Sequence, residues 1–146
     1  ARSWGVPAEV IDCAGFKTKF PEESQEAVAA RLKEYGVDCV CLAGFMRLVK
    51  SPLLQAFPSR IVNIHPSLLP AFPGLHAWEQ AVHAGAEESG CTVHYVDGGM
   101  DTGPILGQAR VPVLPGATPE SLHARIQVEE HRLYPAMIAR VLETLE

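Results

Sequence analysis

Hydrophobic positions recur along the chain in two periods, and their alternation sketches a succession of helices and strands. Residues 22–35 repeat at helical spacing, with Val28, Leu32 and Tyr35 on one face and Gly36 as the stop. Residues 37–43 form an apolar run interrupted only by Asp38 and bounded by glycines, the pattern of a parallel strand buried on both faces. Ser51-Pro52 predicts a cap followed by proline at the first helical position, opening a short helix that ends near Phe57-Pro58. Residues 60–64 read as the next strand, and residues 77–84 as a helix with Trp78, Ala81 and Val82 inward and Gly85 at its end. Residues 91–96 alternate, with Thr92, His94 and Val96 on one face and Cys91, Val93 and Tyr95 on the other, as in a half-exposed strand. A strand over 105–113, broken by Gly107, leads to a long final helix capped by Thr118-Pro119-Glu120. Its apolar stripe runs Leu122, Ile126, Leu133, Met137, Val141, Leu145, with a bend expected at Pro135.

The front of the chain reads differently. Residues 1–5 have the look of a last helical turn closed by Gly5, and residues 8–13 of a strand, so the chain is expected to begin inside an element. Alternating β and α elements predict a three-layer α/β sheet, mostly parallel, with an antiparallel edge from the strands at 91–96 and 105–113. One domain spanning residues 1–146 suffices for a chain of 146 residues that is 47% hydrophobic. Ligands of such sheets bind beyond the carboxyl ends of the strands, where the segments after Ala43 and Ile64 both open.

Composition removes several classes of function. The net charge is −5 and the twelve Lys and Arg are scattered, which leaves no footprint for nucleic acid or an anionic membrane surface. No stretch reads as a membrane span or a signal peptide, so a cytoplasmic protein is expected. The four cysteines, Cys13, Cys39, Cys41 and Cys91, lack a C-x-x-C pairing and read as reduced core residues. The histidine spacing fits no metal-binding pattern, and no metal is expected.

The chemistry concentrates in the segment 63–74, Asn-Ile-His-Pro-Ser-Leu-Leu-Pro-Ala-Phe-Pro-Gly. Side chains two apart on a strand share a face, so Asn63 and His65 project together while Ile64 points back into the structure. Pro66 holds His65 extended at the strand end. A lone histidine in such a place is more often satisfied by a local carbonyl than catalytic, and only partners change that balance. Asp101, in the glycine-rich turn 97–104, is one candidate partner. An amide can donate to a developing oxyanion, an imidazole can move a proton near neutral pH, and a carboxylate can orient the imidazole and favour its charged form. No activated nucleophile accompanies them: Ser67 lacks the G-x-S-x-G elbow. The set suits acyl transfer to an amine carried by a substrate. His94 leads directly into the Asp101 turn and could pair with that carboxylate, although a histidine on the sheet surface fits the pattern equally well.

Four blocks together, Ala-Gly-Phe-Met-Arg at 43–47, Asn-Ile-His-Pro-Ser-Leu-Leu-Pro at 63–70, Pro-Gly-Leu-His at 73–76 and Asp-Gly-Gly-Met-Asp-Thr-Gly-Pro at 97–104, resemble the folate-dependent formyltransferases. The likeness covers about residues 37–135, and Pro66 after His65, the Phe-Met-Arg block and Pro-Gly-Leu-His favour the phosphoribosylglycinamide formyltransferase branch over the methionyl-tRNA and deformylase branches. The resemblance implies a Rossmann-like formyltransferase fold. It implies His65 as proton donor, Asn63 as oxyanion donor, and Asp101 as the group that favours the imidazolium and handles proton transfer. It further implies a pocket for the formyl donor, 10-formyltetrahydrofolate, built from Met46, Arg47, Leu48, Val49 and Asn63 with Asp97, Gly98, Gly99, Met100 and Asp101. Without it, Met46 to Val49 would read as ordinary packing at a strand end. Gln127 and Glu130 match positions that contact glycinamide ribonucleotide, and Glu130 independently falls near the angular range of the apolar stripe, where a carboxylate needs a partner.

The family opens on a strand and a glycine-rich phosphate-binding loop that this sequence lacks, which suggests an N-terminally incomplete chain. The activity implied is formyl transfer to the glycinamide ribonucleotide amine in purine biosynthesis. A hydrolase releasing formate from the same donor and a folate-binding module without catalysis are the alternatives. Small-molecule substrates are the partners expected, in a monomer or homodimer.

Overall fold

The computed structural model describes residues 1–13, 15 and 19–145. Its elements are α1 (Glu22–Glu34), β1 (Val40–Leu42), α2 (Ser51–Ala56), β2 (Ile61–His65), α3 (Ala77–His83), β3 (Glu88–Tyr95), β4 (Ile105–Pro112) and α4 (Pro119–Glu143), preceded by a 3-10 turn, Arg2–Trp4, closed by left-handed Gly5. The strands lie in the order β1-β2-β3-β4. The expected α/β architecture is present, but its parallel part is a single pair, β1–β2, while β2–β3 and β3–β4 are antiparallel.

Period two decides the layers. Ile61 packs toward α1 and α2 with Phe20, Ala29, Val49, Leu53 and Phe57, whereas Ile64, odd in register to it, joins the opposite core of Ala81, Cys91, Val111, Leu122 and Ile126 beneath α3 and α4. The predicted stripe of α4 thus supplies the second core, and Leu122, Ile126 and Val141 are buried. The cap of α4 is a reciprocal pair: Thr118 Oγ1 accepts from the Ser121 N–H at 3.1 Å and Ser121 Oγ from the Thr118 N–H at 3.0 Å. The helix continues past Pro135 to Glu143. Tyr134 then ties it to the sheet, donating its hydroxyl toward the carbonyls of Leu42 at 2.7 Å and Val62 at 3.2 Å.

Several expectations change. Residues 8–13 form no strand: Val10 is 94% exposed and finds no neighbouring strand among the described residues. That segment is held by side chains instead, through Glu9 with Arg31 and Tyr35 and through Ser24 Oγ donating to the Asp12 carbonyl at 3.1 Å. Strand β3 is buried on both faces, not half exposed, because the segment after His65 covers its Thr92 face. Gly107 does not break β4; a Cβ there would lie 2.7 Å from Met137 Sδ, so the glycine admits the close approach of α4. Ser51 is the first residue of α2, not its cap, and its hydroxyl accepts from Gln55 Nε2 at 2.7 Å. Cys41 is exposed on β1, which has a neighbour on one side only among the described residues, while Cys91 is the one cysteine that is fully buried.

Candidate active site

Antiparallel pairing places Asn63 directly opposite His94 and His65 opposite Thr92, so the polar side chains of β2 and β3 emerge on one face at the end of the sheet. Asn63 Nδ2 lies 3.3 Å from His94 Nε2. His94 Nδ1 lies 2.8 Å from the carbonyl of Tyr95, which can only accept, so the proton of neutral His94 sits on Nδ1 and Nε2 accepts from the Asn63 amide. The same logic applies to His65. Its Nε2 is 2.9 Å from the Phe72 carbonyl and must donate there, leaving Nδ1 turned to Asp101 Oδ2 at 3.4 Å. A charged His65 would satisfy both neighbours at once.

Asp101 reaches this cluster from the turn after β3, in the left-handed backbone region at φ 54°, which aspartate tolerates better than most residues. One oxygen accepts from the Gly74 N–H at 2.9 Å and faces His65; the other lies 3.7 Å from His94 Nε2. The carboxylate therefore stands between two imidazoles, and all three side chains are largely shielded, with 6%, 3% and 13% of the His65, His94 and Asp101 side chains exposed. Asp97 braces the same turn: its Oδ1 accepts from the Gly99 N–H at 2.9 Å and from the Thr102 hydroxyl at 2.7 Å, bonds that hold its carboxyl below the usual range.

The cluster opens into a cavity of about 910 Å³, the size of a small-molecule site. Met46, Arg47, Leu48 and Val49 line it with Asn63, His65, His94, Asp97, Gly99, Met100 and Asp101, and Gln127 and Glu130 face it from α4. Gly98 is the one residue of the expected set outside the lining. Sequence reasoning missed Trp78, His123 and Tyr134, which line it as well. His123 precedes Gln127 and Glu130 at helical spacing, a signal available in the sequence, and its ring stacks on Trp78 with centroids 3.8 Å apart.

Glu130 is pushed above the ordinary carboxylate value of 4.5, chiefly by burial, with His131 opposing. A carboxyl raised on folding binds more protons in the native state, so its contribution to stability falls as pH rises from about 4.5 through the folded value. Glu130→Gln is expected to raise the melting temperature at neutral pH and to lose that advantage below pH ~4. Thermal unfolding at both pH values checks this, and an equal shift at both contradicts it. Burial likewise pushes the Cys91 thiol up to about 12, which does not suit it to nucleophilic catalysis. Among the described residues no three His, Cys, Asp or Glu side chains gather as metal ligands do, and no helix is long and apolar enough to cross a membrane.

The family model for formyl transferases matches residues 1–138. The chain is 42% identical over 142 residues to phosphoribosylglycinamide formyltransferase of Bacillus subtilis, covering 97% of this chain and 72% of that protein. It is 48% identical over 135 residues to the trifunctional purine biosynthetic protein adenosine-3 of Drosophila pseudoobscura pseudoobscura, covering 92% of this chain and 10% of that one. Among solved structures, glycinamide ribonucleotide transformylase 1 of Symbiobacterium toebii superposes with a TM-score of 0.89 at 56% identity, over 94% of this chain and 64% of that one. The chain thus spans about a tenth of the trifunctional relative and 64% of the Symbiobacterium enzyme. With its fold and nearly its whole length matched, the chain belongs to the formyl transferase family.

Proposed function

We propose that this protein transfers the formyl group of 10-formyltetrahydrofolate to the amine of glycinamide ribonucleotide in purine biosynthesis. The observation that carries the reading is the joint placement of Asn63, His65 and Asp101 in the lining of one cavity, within a family whose relatives are named for this transfer. A cytoplasmic setting, small-molecule partners and a monomeric or homodimeric state complete the proposal.

The chemistry follows from what each group can donate or accept. As the substrate amine attacks the formyl carbon, a C–N bond forms and the formyl oxygen becomes an oxyanion. Asn63 Nδ2 keeps one N–H for that oxygen after giving the other to His94. Breaking the bond to the folate nitrogen requires a proton there, and the attacking amine must lose one. His65, held by Phe72 and facing Asp101, can supply the first, and Asp101 can take up the second directly or through water, so protons and charge balance. The apolar lining of Met46, Leu48 and Val49 suits the flat pteridine, while Gln127 and Glu130 offer polar groups to a sugar. Glu130 has the wrong sign for a phosphate, which points that group away from α4.

Calorimetry with a non-hydrolysable folate analogue tests the donor half. The reading expects binding that Met46→Asp weakens about tenfold or more, the cost of placing an unpaired charge against the ring. An unaltered affinity in Met46→Asp would remove this wall of the cavity from the donor site.

A further inference from the structure

His65, Thr92 and Gln108 stand side by side on three successive strands. The pairing of β2 with β3 sets His65 opposite Thr92, and that of β3 with β4 sets Thr92 opposite Gln108. Their side chains consequently lie in one row on one face of the sheet. We propose that Gln108, two strands away from the reacting groups, is a positioning residue for His65, acting through Thr92 and the loop 66–72. The inference rests on the reading of His65 as the proton donor.

Hydrogen bonds run from Gln108 to Ala71, and one peptide link completes the path to Phe72. Gln108 Nε2 has two hydrogens: one goes to the Leu69 carbonyl at 2.9 Å and the other to Thr92 Oγ1 at 3.0 Å. Because a carbonyl only accepts, that amide has one satisfactory orientation. Thr92, fully buried, donates its hydroxyl to the Ser67 carbonyl at 2.7 Å and accepts from the Leu69 N–H at 3.0 Å. One donor and two acceptor sites are all a hydroxyl has, and each is used. From there the loop closes on itself: the Ser67 N–H donates to the His65 carbonyl at 2.9 Å, the Ser67 hydroxyl to the Ala71 carbonyl at 2.5 Å, and the Ala71 N–H to the Leu68 carbonyl at 3.0 Å. The next residue, Phe72, presents the carbonyl that receives His65 Nε2 at 2.9 Å.

The sequence explains why side chains from outside the loop are needed. Pro66, Pro70 and Pro73 have no N–H to give, so this stretch is poor in donors of its own. Its shape is fixed from the neighbouring strands, by Thr92 and Gln108. Without the Gln108 amide, the Leu69 carbonyl and one Thr92 lone pair lose their donor, and the Phe72 carbonyl is free to shift. A displacement of about 1 Å at a catalytic group costs on the order of a hundredfold in rate.

Gln108→Met, close in size and without the amide, tests this in the intact protein. The expected result is a kcat lower by about ten- to a hundredfold, with KM for the formyl donor within about twofold, since Met46 to Val49 belong to another segment. The nitrogen NMR signals of the His65 ring provide the second readout: one protonated Nε2 in the parent neutral form, and a mixture of tautomers in the variant. Unchanged kcat overturns the proposal, as does a lowered kcat with unaltered His65 signals, which would reflect general loosening. Should Gln108→Met not fold, Gln108→Glu keeps the shape, loses donors and is read by the same two measurements. If the parent protein transfers no formyl group, the functional reading fails, while the His65 spectrum still decides whether Gln108 positions the ring.

Discussion

His65→Ala and Asn63→Ala are each expected to lower turnover by about a hundredfold or more, with affinity for a folate analogue retained. The two losses have different origins. His65 has both ring nitrogens committed, to the Phe72 carbonyl and the Asp101 carboxylate, so its ring is held in place for proton transfer. Asn63 is fixed by a single bond to His94, so its remaining N–H is preorganised before the substrate arrives. Because both changes act on the transition state, kcat and kcat/KM should fall together. Steady-state kinetics with calorimetry on each variant is the check, and near-parental turnover in either removes that residue from the mechanism.

Gly103→Ala should damage both stability and activity. A Cβ at this buried position would lie 1.8 Å from the Tyr95 carbonyl oxygen and 2.8 Å from its carbon, both backbone atoms that cannot swing aside. That carbonyl also receives His94 Nδ1, and the Tyr95 N–H pairs with the Pro104 carbonyl at 2.9 Å. The turn bearing Asp101 must therefore move. Overpacking of this kind costs about 1–3 kcal/mol, and displacing Asp101 from two imidazoles is expected to reduce turnover about a hundredfold. Thermal unfolding and kinetics on the one variant measure both; an unchanged melting temperature would mean that the turn relaxes freely.

The parts of the site written in local order were legible. Asn63 and His65 stand two apart at the end of an apolar run, which places both on one face before any partner is known. Glu130 was flagged by its position near an apolar stripe, and burial does raise its carboxyl. What depends on the third dimension was not legible. Every residue has a carbonyl, so nothing marked that of Phe72 as the partner of His65. Burial of Thr92 and His94 was missed because their alternation is that of a solvated face until a proline-rich loop folds over it. Residues 8–13 misled for the opposite reason: Val10 and Ile11 have strand-forming side chains, but a strand exists only beside another.

The central claim is that a formyl group moves from a folate to an amine at the cluster of Asn63, His65 and Asp101. Supplying the intact protein with carbon-13-labelled 10-formyltetrahydrofolate and glycinamide ribonucleotide tests it most directly, with the label followed by NMR. The account predicts label in the amide of formylglycinamide ribonucleotide, at a rate that His65→Ala reduces by about a hundredfold or more. Label released as formate at the same rate with or without the ribonucleotide would contradict it, since water would then be the acceptor.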